Sequence, residues 1–121
     1  MRGRKETGNV VLDKSLELSI KIVKFCDILN GHNKRDISRQ LLRSGTSIGA
    51  NIREAQNHES DNDFTHKFKI AAKEIKETEY WLNIIEACYE EYNIDEISKL
   101  LEEVAKITNS IITTMKNKSK K

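Results

Sequence analysis

The sequence predicts an all-α fold, an antiparallel up-down-up-down four-helix bundle, and three observations lead there. Proline is absent and glycine occurs only five times, so helix interruptions are few. Charged residues make up 33% of the chain, and apolar residues recur at intervals of three and four, the period of an amphipathic helix and not of a strand. Four segments carry this pattern, at about residues 13–30, 34–57, 61–91 and 94–116. Connections this short fold each helix back beside the one before it. At 121 residues and 14.0 kDa, the chain is expected to form a single domain, 1–121, with flexible basic termini.

In the first helix Leu18, Ile22, Phe25 and Leu29 follow a four-three-four spacing, and Leu12, Leu16, Val23 and Cys26 form an adjacent stripe. Asn30 and Gly31 are expected to end it, glycine taking the left-handed conformation most easily. Asn33 or Asp36 can cap the second helix. At 100° per residue, its Ile37, Leu41, Ile48, Ile52 and Ala55 fall within one arc of about 60°. Gly45 and Gly49 flank that arc and let a neighbouring helix approach closely, at a propensity cost of about 1 kcal/mol each.

Ser60 followed by Asp63 reads as a capping box for the third and longest helix. Phe64, Phe68, Ala71, Ile75, Thr78, Leu82, Ile85 and Tyr89 repeat without a break as a heptad seam. A second stripe, Ile70, Trp81, Ile84 and Cys88, lies on another side and exceeds what one partner helix could cover, so it is expected at an interface between copies of the chain. Asn93 with Glu96 offers a start signal for the fourth helix, in which Ile97, Leu101, Val104, Thr108, Ile111 and Met115 repeat and Leu100 and Ile107 widen the face.

Cys26 and Cys88 are far apart and match no metal or redox spacing, so both are expected as reduced thiols in a cytoplasmic core. No apolar run reaches the roughly 18 residues that span a bilayer, and residues 1–9 lack the apolar stretch of a secretion signal. A cytoplasmic protein without membrane partners is expected. Arg2, Arg4 and Lys5 against Glu6 give residues 1–9 a charge of +2, and the lysines of residues 116–121 give +4. With a whole-chain charge of +2, the body between carries −4, so composition alone does not announce a nucleic-acid binder.

Two motifs suggest chemistry and have simpler explanations. Residues 45–49 match the G-x-S-x-G nucleophile elbow, but that device needs a strand-to-helix turn, and here it sits inside a helical period. Asp63 and His66 form one carboxylate-x-x-His element where a di-iron bundle needs two. No catalytic residues, metal or cofactor are expected, and the chain reads as non-enzymatic.

Cationic residues are the stronger functional signal. Arg35, Arg39, Arg43 and Arg53 fall within about 80° of arc on the second helix, while Lys69, Lys73 and Lys76 share a stripe with Tyr80 on the third. Basic stripes beside an aromatic ring can hold phosphates and stack a base. Helical spacing offers three local ion pairs, Asp36 with Arg39, Lys73 with Glu77 and Lys76 with Glu79, each worth about 0.2–0.5 kcal/mol. Arg35, Arg43, Arg53 and Lys69 have no carboxylate three or four residues away.

The run Leu42-Arg43-Ser44-Gly45-Thr46-Ser47-Ile48-Gly49-Ala50-Asn51-Ile52-Arg53-Glu54-Ala55, then Ser60 with Asp63-Phe64, Lys73-Glu74 and Glu77-Thr78-Glu79-Tyr80-Trp81-Leu82, resembles the four-helix-bundle proteins encoded in intervening sequences of bacterial large-subunit ribosomal RNA genes. The resemblance covers about residues 15–101. It implies an up-down bundle assembled into a ring, a homopentamer, associated with structured RNA. More distantly, the chain is similar to the accessory variability proteins of diversity-generating retroelements, which implies binding of nucleic acid and of a protein partner. Ser44, Ser47 and Asn51 lie beside the core arc of the second helix, and Glu77 interrupts the second apolar stripe of the third. A carboxylate placed there needs a partner, and Arg43 or Arg53 is expected to supply it across the helices. The alternative to RNA is a scaffold that binds another protein and no nucleic acid.

Overall fold

The computed structural model describes residues 6–119. Four helices follow in order, α1 (Val10–Gly31), α2 (Arg35–Ala55), α3 (Asp61–Cys88) and α4 (Asp95–Ser119), and no strand occurs among the described residues. Arg2, Arg4, Lys5, Lys120 and Lys121 of the expected basic termini lie outside the described residues.

Local side chains explain where the helices start. Asn9, in extended conformation, accepts the amide of Leu12 at 3.2 Å, and the Thr7 hydroxyl donates to the Asp13 carboxylate at 2.9 Å in the first turn. This cap starts α1 at Val10, earlier than the apolar period suggests. Ser60 likewise accepts the amide of Asp63 at 3.1 Å. The reciprocal bond misses the capping-box position by one residue, because the Asp63 carboxylate takes the amide of Glu59 at 3.3 Å. At α4 the Asn93 side chain accepts from the amide of Asp95 at 2.9 Å, whereas Glu96 turns away to pair with Lys21 on α1.

The turn after α1 differs from the expectation. Gly31 stays helical, and the left-handed residue is Asn33, at φ +65°. Asparagine tolerates that region better than other residues with a β-carbon. Committed to the turn, Asn33 cannot cap α2, and Asp36 does not either; the cap position is Lys34, without a side-chain bond. The Lys34 amide instead reaches back to the Leu29 carbonyl at 2.9 Å, closing the turn.

Cross-helix contacts fix the direction of each neighbour. Ser38 donates to the Cys26 carbonyl at 3.2 Å while Asn9 reaches Gln56 at 3.2 Å, so α1 and α2 run antiparallel. Arg43 with Glu77 and Lys67 with Glu54 at 2.9 Å set α2 against α3 in the same way. Lys118 meets Asp61 at 3.1 Å at one end of the α3–α4 pair, and Leu82 and Asn83 line a groove with Ser98 and Leu101 toward the other. Lys14 with Glu103 at 2.6 Å and Lys21 with Glu96 close α4 onto α1. Each helix thus packs on two neighbours, with α1 diagonal to α3 and α2 to α4, the up-down-up-down bundle.

One core runs down the middle. Leu18, Ile22, Leu29, Leu41, Ile48, Ile52, Phe68, Leu82, Ile85 and Val104 are fully enclosed, each contributing about 1.5–3 kcal/mol of apolar burial. Two glycines bring α1 and α2 together. A β-carbon on Gly45 would lie 2.5 Å from Ile22 Cδ1, and one on Gly49 would lie 3.1 Å from Ser19 Oγ and 3.2 Å from the Ser15 carbonyl.

Three expected core positions are not in the core. Leu16 and Val23 are 36% and 41% exposed, because α2 covers only the Leu12 and Cys26 ends of that stripe. Cys26 is buried, and burial raises its thiol above the ordinary value, with the thiol donating to the Ser38 carbonyl at 3.4 Å. Cys88 is exposed instead, since α3 ends there, short of the expected 91. No described helix is long and apolar enough to cross a membrane.

Candidate nucleic-acid interface

Because α2 and α3 run antiparallel, Arg43 stands level with Glu77, and its guanidinium binds that carboxylate across the helix pair. Its other terminal nitrogen reaches Glu74 at 3.3 Å, one helical turn earlier on α3. The indole N–H of Trp81 donates to the same Glu77 oxygen at 3.1 Å. Arg43, followed by Trp81, holds the Glu77 carboxyl below the usual carboxylate range, and Glu77 in turn raises the guanidinium. Of the two arginines weighed for Glu77, Arg43 makes the contact and Arg53 does not.

Beneath this pair, in the buried seam, the Thr78 hydroxyl donates to Ser44 Oγ at 2.9 Å. Ser47 and Asn51 do not cross between helices. The Asn51 amide donates to the Ser47 carbonyl at 2.9 Å and to its hydroxyl at 3.2 Å, all within α2. The serine of the G-x-S-x-G run is therefore an internal helical residue, and no strand-to-helix elbow surrounds it.

The remaining cations do not form one surface. Arg35 lines an open cleft with Lys34, Asp36, Ile37 and Tyr89 at the end where the α1–α2 and α3–α4 turns meet. There Lys34 sits 4.6 Å over the Tyr89 ring, and the His32 ring and Tyr92 hydroxyl lie 2.5 Å apart. Arg39 is exposed and pairs with Asp36 at 3.8 Å, the local pair that spacing offered. Arg53 points to the opposite flank, lining a dimple with Leu12, Ser15, Leu16, Ser19, Gly49 and Ala50 on the α1 side.

Lys69, Lys73 and Lys76 are exposed along the outer face of α3 beside Tyr80, which is 58% exposed and packs edge-on against Trp81 at 5.1 Å. The pairs that spacing offered, Lys73 with Glu77 and Lys76 with Glu79, are not formed among the described residues, and Glu77 is taken by Arg43. Among the described residues, Arg35, Arg53, Lys69, Lys73 and Lys76 make no ion pair. Ile70, Trp81 and Ile84 are half-buried and Cys88 exposed, so the second stripe of α3 keeps open surface. A second apolar patch, Leu16, Val23 and Leu42, opens on α1 and α2.

Asp63 and His66 assemble nothing further. No group of three or more His, Cys, Asp or Glu side chains comes together as a metal cage among the described residues.

The sequence matches the family model described as 23S rRNA-intervening sequence protein over residues 8–110. The chain belongs to that family. All the cationic residues of α2 and α3, the Arg43–Glu77 pair and both open apolar faces lie inside the matched region. A crystal structure from Bacteroides thetaiotaomicron, described as a protein of unknown function from the S23 ribosomal protein family, shares 44% identity with this family member at a TM-score of 0.83. The similarity covers 87% of this chain and 96% of that one. Neither that protein nor the family is assigned to a known enzyme class. Comparison with curated proteins gives no match.

Sequence reasoning missed several residues in this family member. Glu74, the second partner of Arg43, was legible as the carboxylate one turn before Glu77. The Thr78–Ser44 bond and the Lys67–Glu54 pair carried no local signal, because their partners are on different helices. Leu42 was unassigned, although it lies outside the apolar arc of α2.

Proposed function

We propose that this 23S rRNA-intervening sequence family member is a non-enzymatic, self-assembling binding protein of the cytoplasm that associates with structured RNA. The observation that carries the reading is the set of exposed cations that make no ion pair among the described residues: Lys69, Lys73 and Lys76 on the outer face of α3 that also carries the exposed Tyr80 ring, with Arg35 in the cleft at the end of α2. Such cations keep their charge for phosphates, and an exposed phenol offers a face on which a base stacks. The family's name, tied to 23S rRNA intervening sequences, supports the same ligand class.

Self-assembly is supported by two open apolar faces, Trp81 with Ile70 and Ile84 on α3, and Leu16, Val23 and Leu42 on α1 and α2. Two unlike faces on one chain suit head-to-tail contacts that close into a ring, and the resemblance to ring-forming bundles supports a ring of five. Arg43 takes a structural role in this reading, since Glu74 and Glu77 already neutralise it.

Fluorescence anisotropy with a labelled structured RNA tests the assignment. Wild-type affinity falls steeply with salt, and Arg35→Ala/Lys73→Ala/Lys76→Ala weakens it at least about tenfold. The second reading, a scaffold that binds another protein and no nucleic acid, is favoured by the −4 charge of residues 10–115. It gives no salt-dependent RNA signal and no effect of the triple substitution.

A further inference from the structure

The lysines at the end of the chain are not all a frayed tail. Helix α4 continues to Ser119, so Lys116 and Lys118 stand on its last turn, against the first turns of α3. There they line one cleft of about 250 Å³ with Lys69, Asn62, Thr65 and Asp61. Lys118 pairs with Asp61 at 3.1 Å, both side chains being about two-thirds exposed. Lys69 and Lys116 have no ion pair among the described residues. Three ammonium groups thus face a single carboxylate, drawn from two helices whose packing fixes their spacing.

We propose that this cleft binds phosphodiester groups of an RNA strand and extends the lysine track of α3 onto α4. The inference rests on the RNA reading above and adds to it a site that the outer stripe of α3 alone does not contain. Lys69 belongs to both features. From it, Lys73 and Lys76 climb α3 over about 10 Å at 1.5 Å per residue, so a strand following them meets the cleft without leaving the protein. The partner is a polyanion because three lysines line the cleft against one carboxylate, and Met115 is the one apolar residue among those lining it. Asp61 acts as the internal counter-ion of the cleft. The Lys118–Asp61 bridge is solvent-exposed and weak, so a phosphate displaces the carboxylate readily.

The test is RNA anisotropy on the full chain across a salt series, with wild type, Lys116→Gln/Lys118→Gln, Asp61→Asn and the α1 control Lys24→Gln. Each lost phosphate contact reduces the slope of log affinity against log salt by about 0.7–0.9. The double variant is expected to flatten the slope by about 1.5 and weaken binding at least about tenfold, with Lys→Arg at both positions restoring it. Asp61→Asn is expected to tighten binding, because it frees Lys118, whereas a purely structural bridge predicts no gain.

A wild type that binds steeply while the double variant keeps its slope, or while Lys24→Gln flattens it equally, overturns the cleft and leaves the RNA reading standing. A wild type with no salt-dependent RNA binding overturns both. Loss of binding to phosphatidylserine vesicles in the double variant, with RNA affinity unchanged, also overturns the assignment and makes the cleft a membrane contact.

Discussion

Arg43 on α2 and Glu77 on α3 form an ion pair that the Trp81 indole completes, donating to the same carboxylate oxygen at 3.1 Å. The pair lies above the buried Thr78–Ser44 hydrogen bond, so polar contacts at two depths lock one register between the two helices. A shift of one turn would break both.

The Arg43–Glu77 coupling is therefore measurable. Both side chains are partly exposed, at 51% and 36%, so solvent screening limits their mutual stabilisation to about 0.5–1 kcal/mol. A double-mutant cycle with Arg43→Met and Glu77→Gln, read by urea unfolding, is expected to return that coupling. A value near zero would show the pair to be incidental.

The same pair sets an acid dependence. The Glu77 carboxyl is held below its ordinary value in the folded chain, chiefly by Arg43 and then by Trp81. The unfolded chain therefore binds the proton first, and stability rises with pH across the interval between the two values. The stabilisation is complete above the ordinary carboxylate range and disappears as pH falls through the lowered value. Unfolding curves of wild type and Glu77→Gln are expected to converge toward low pH and to separate above pH ~5.

Gly45 lets α1 approach α2, so Gly45→Ala sets two effects against each other. Alanine gains about 1 kcal/mol of helix propensity. Its methyl group would sit 2.5 Å from Ile22 Cδ1 and 3.0 Å from Ile22 Cγ2, so the fully enclosed Ile22 side chain must shift within the core. Overpacking of this kind costs about 1–3 kcal/mol, so a net loss of about 1 kcal/mol is expected by thermal or urea unfolding. A stabilised variant would show that the helices can slide apart at no cost.

Two buried threonines should respond in opposite directions. Thr108 is fully buried, and its hydroxyl has no hydrogen-bond partner among the described residues. Thr108→Val keeps the shape, removes the orphaned group and is expected to stabilise by about 1 kcal/mol. Thr78 donates to Ser44 Oγ and lies 2.8 Å from the Glu74 carbonyl, so Thr78→Val is expected to cost about 1 kcal/mol. Equal effects from the two substitutions would contradict this assignment of the hydroxyls.

How much of this was legible in the sequence depended on whether the controlling partner was local. The heptad seam from Phe68 to Ile85 follows from period alone, and the Ser60 cap follows from a contact three residues long. Local spacing also suggested that Lys73 would hold Glu77. An arginine from another helix, with two hydrogen-bonding nitrogens in reach, holds it instead. The turn at Asn33 was misread because glycine is the commoner left-handed residue, yet Gly31 lies two positions too early to close it. Lys116 and Lys118 were assigned to a frayed end on the general behaviour of termini, but α4 stays helical to Ser119 and Lys118 pairs with Asp61 of α3.

The open face of α3 carries the assembly prediction. Trp81, which donates to Glu77, and Ile84 keep accessible apolar surface in the single chain. Ile84→Glu places a charge on that face without touching the seam. It is expected to weaken self-association by more than about tenfold while leaving helix content unchanged. Circular dichroism with size-exclusion chromatography separates this outcome from a folding defect.

Sedimentation velocity of the purified chain with labelled structured RNA, at micromolar protein and low salt, reads assembly and RNA binding in one experiment. Protein sedimenting at several times 14.0 kDa is expected, with the RNA label moving in the same boundary and leaving it as salt is raised. A 14.0 kDa monomer sedimenting apart from free RNA would contradict it.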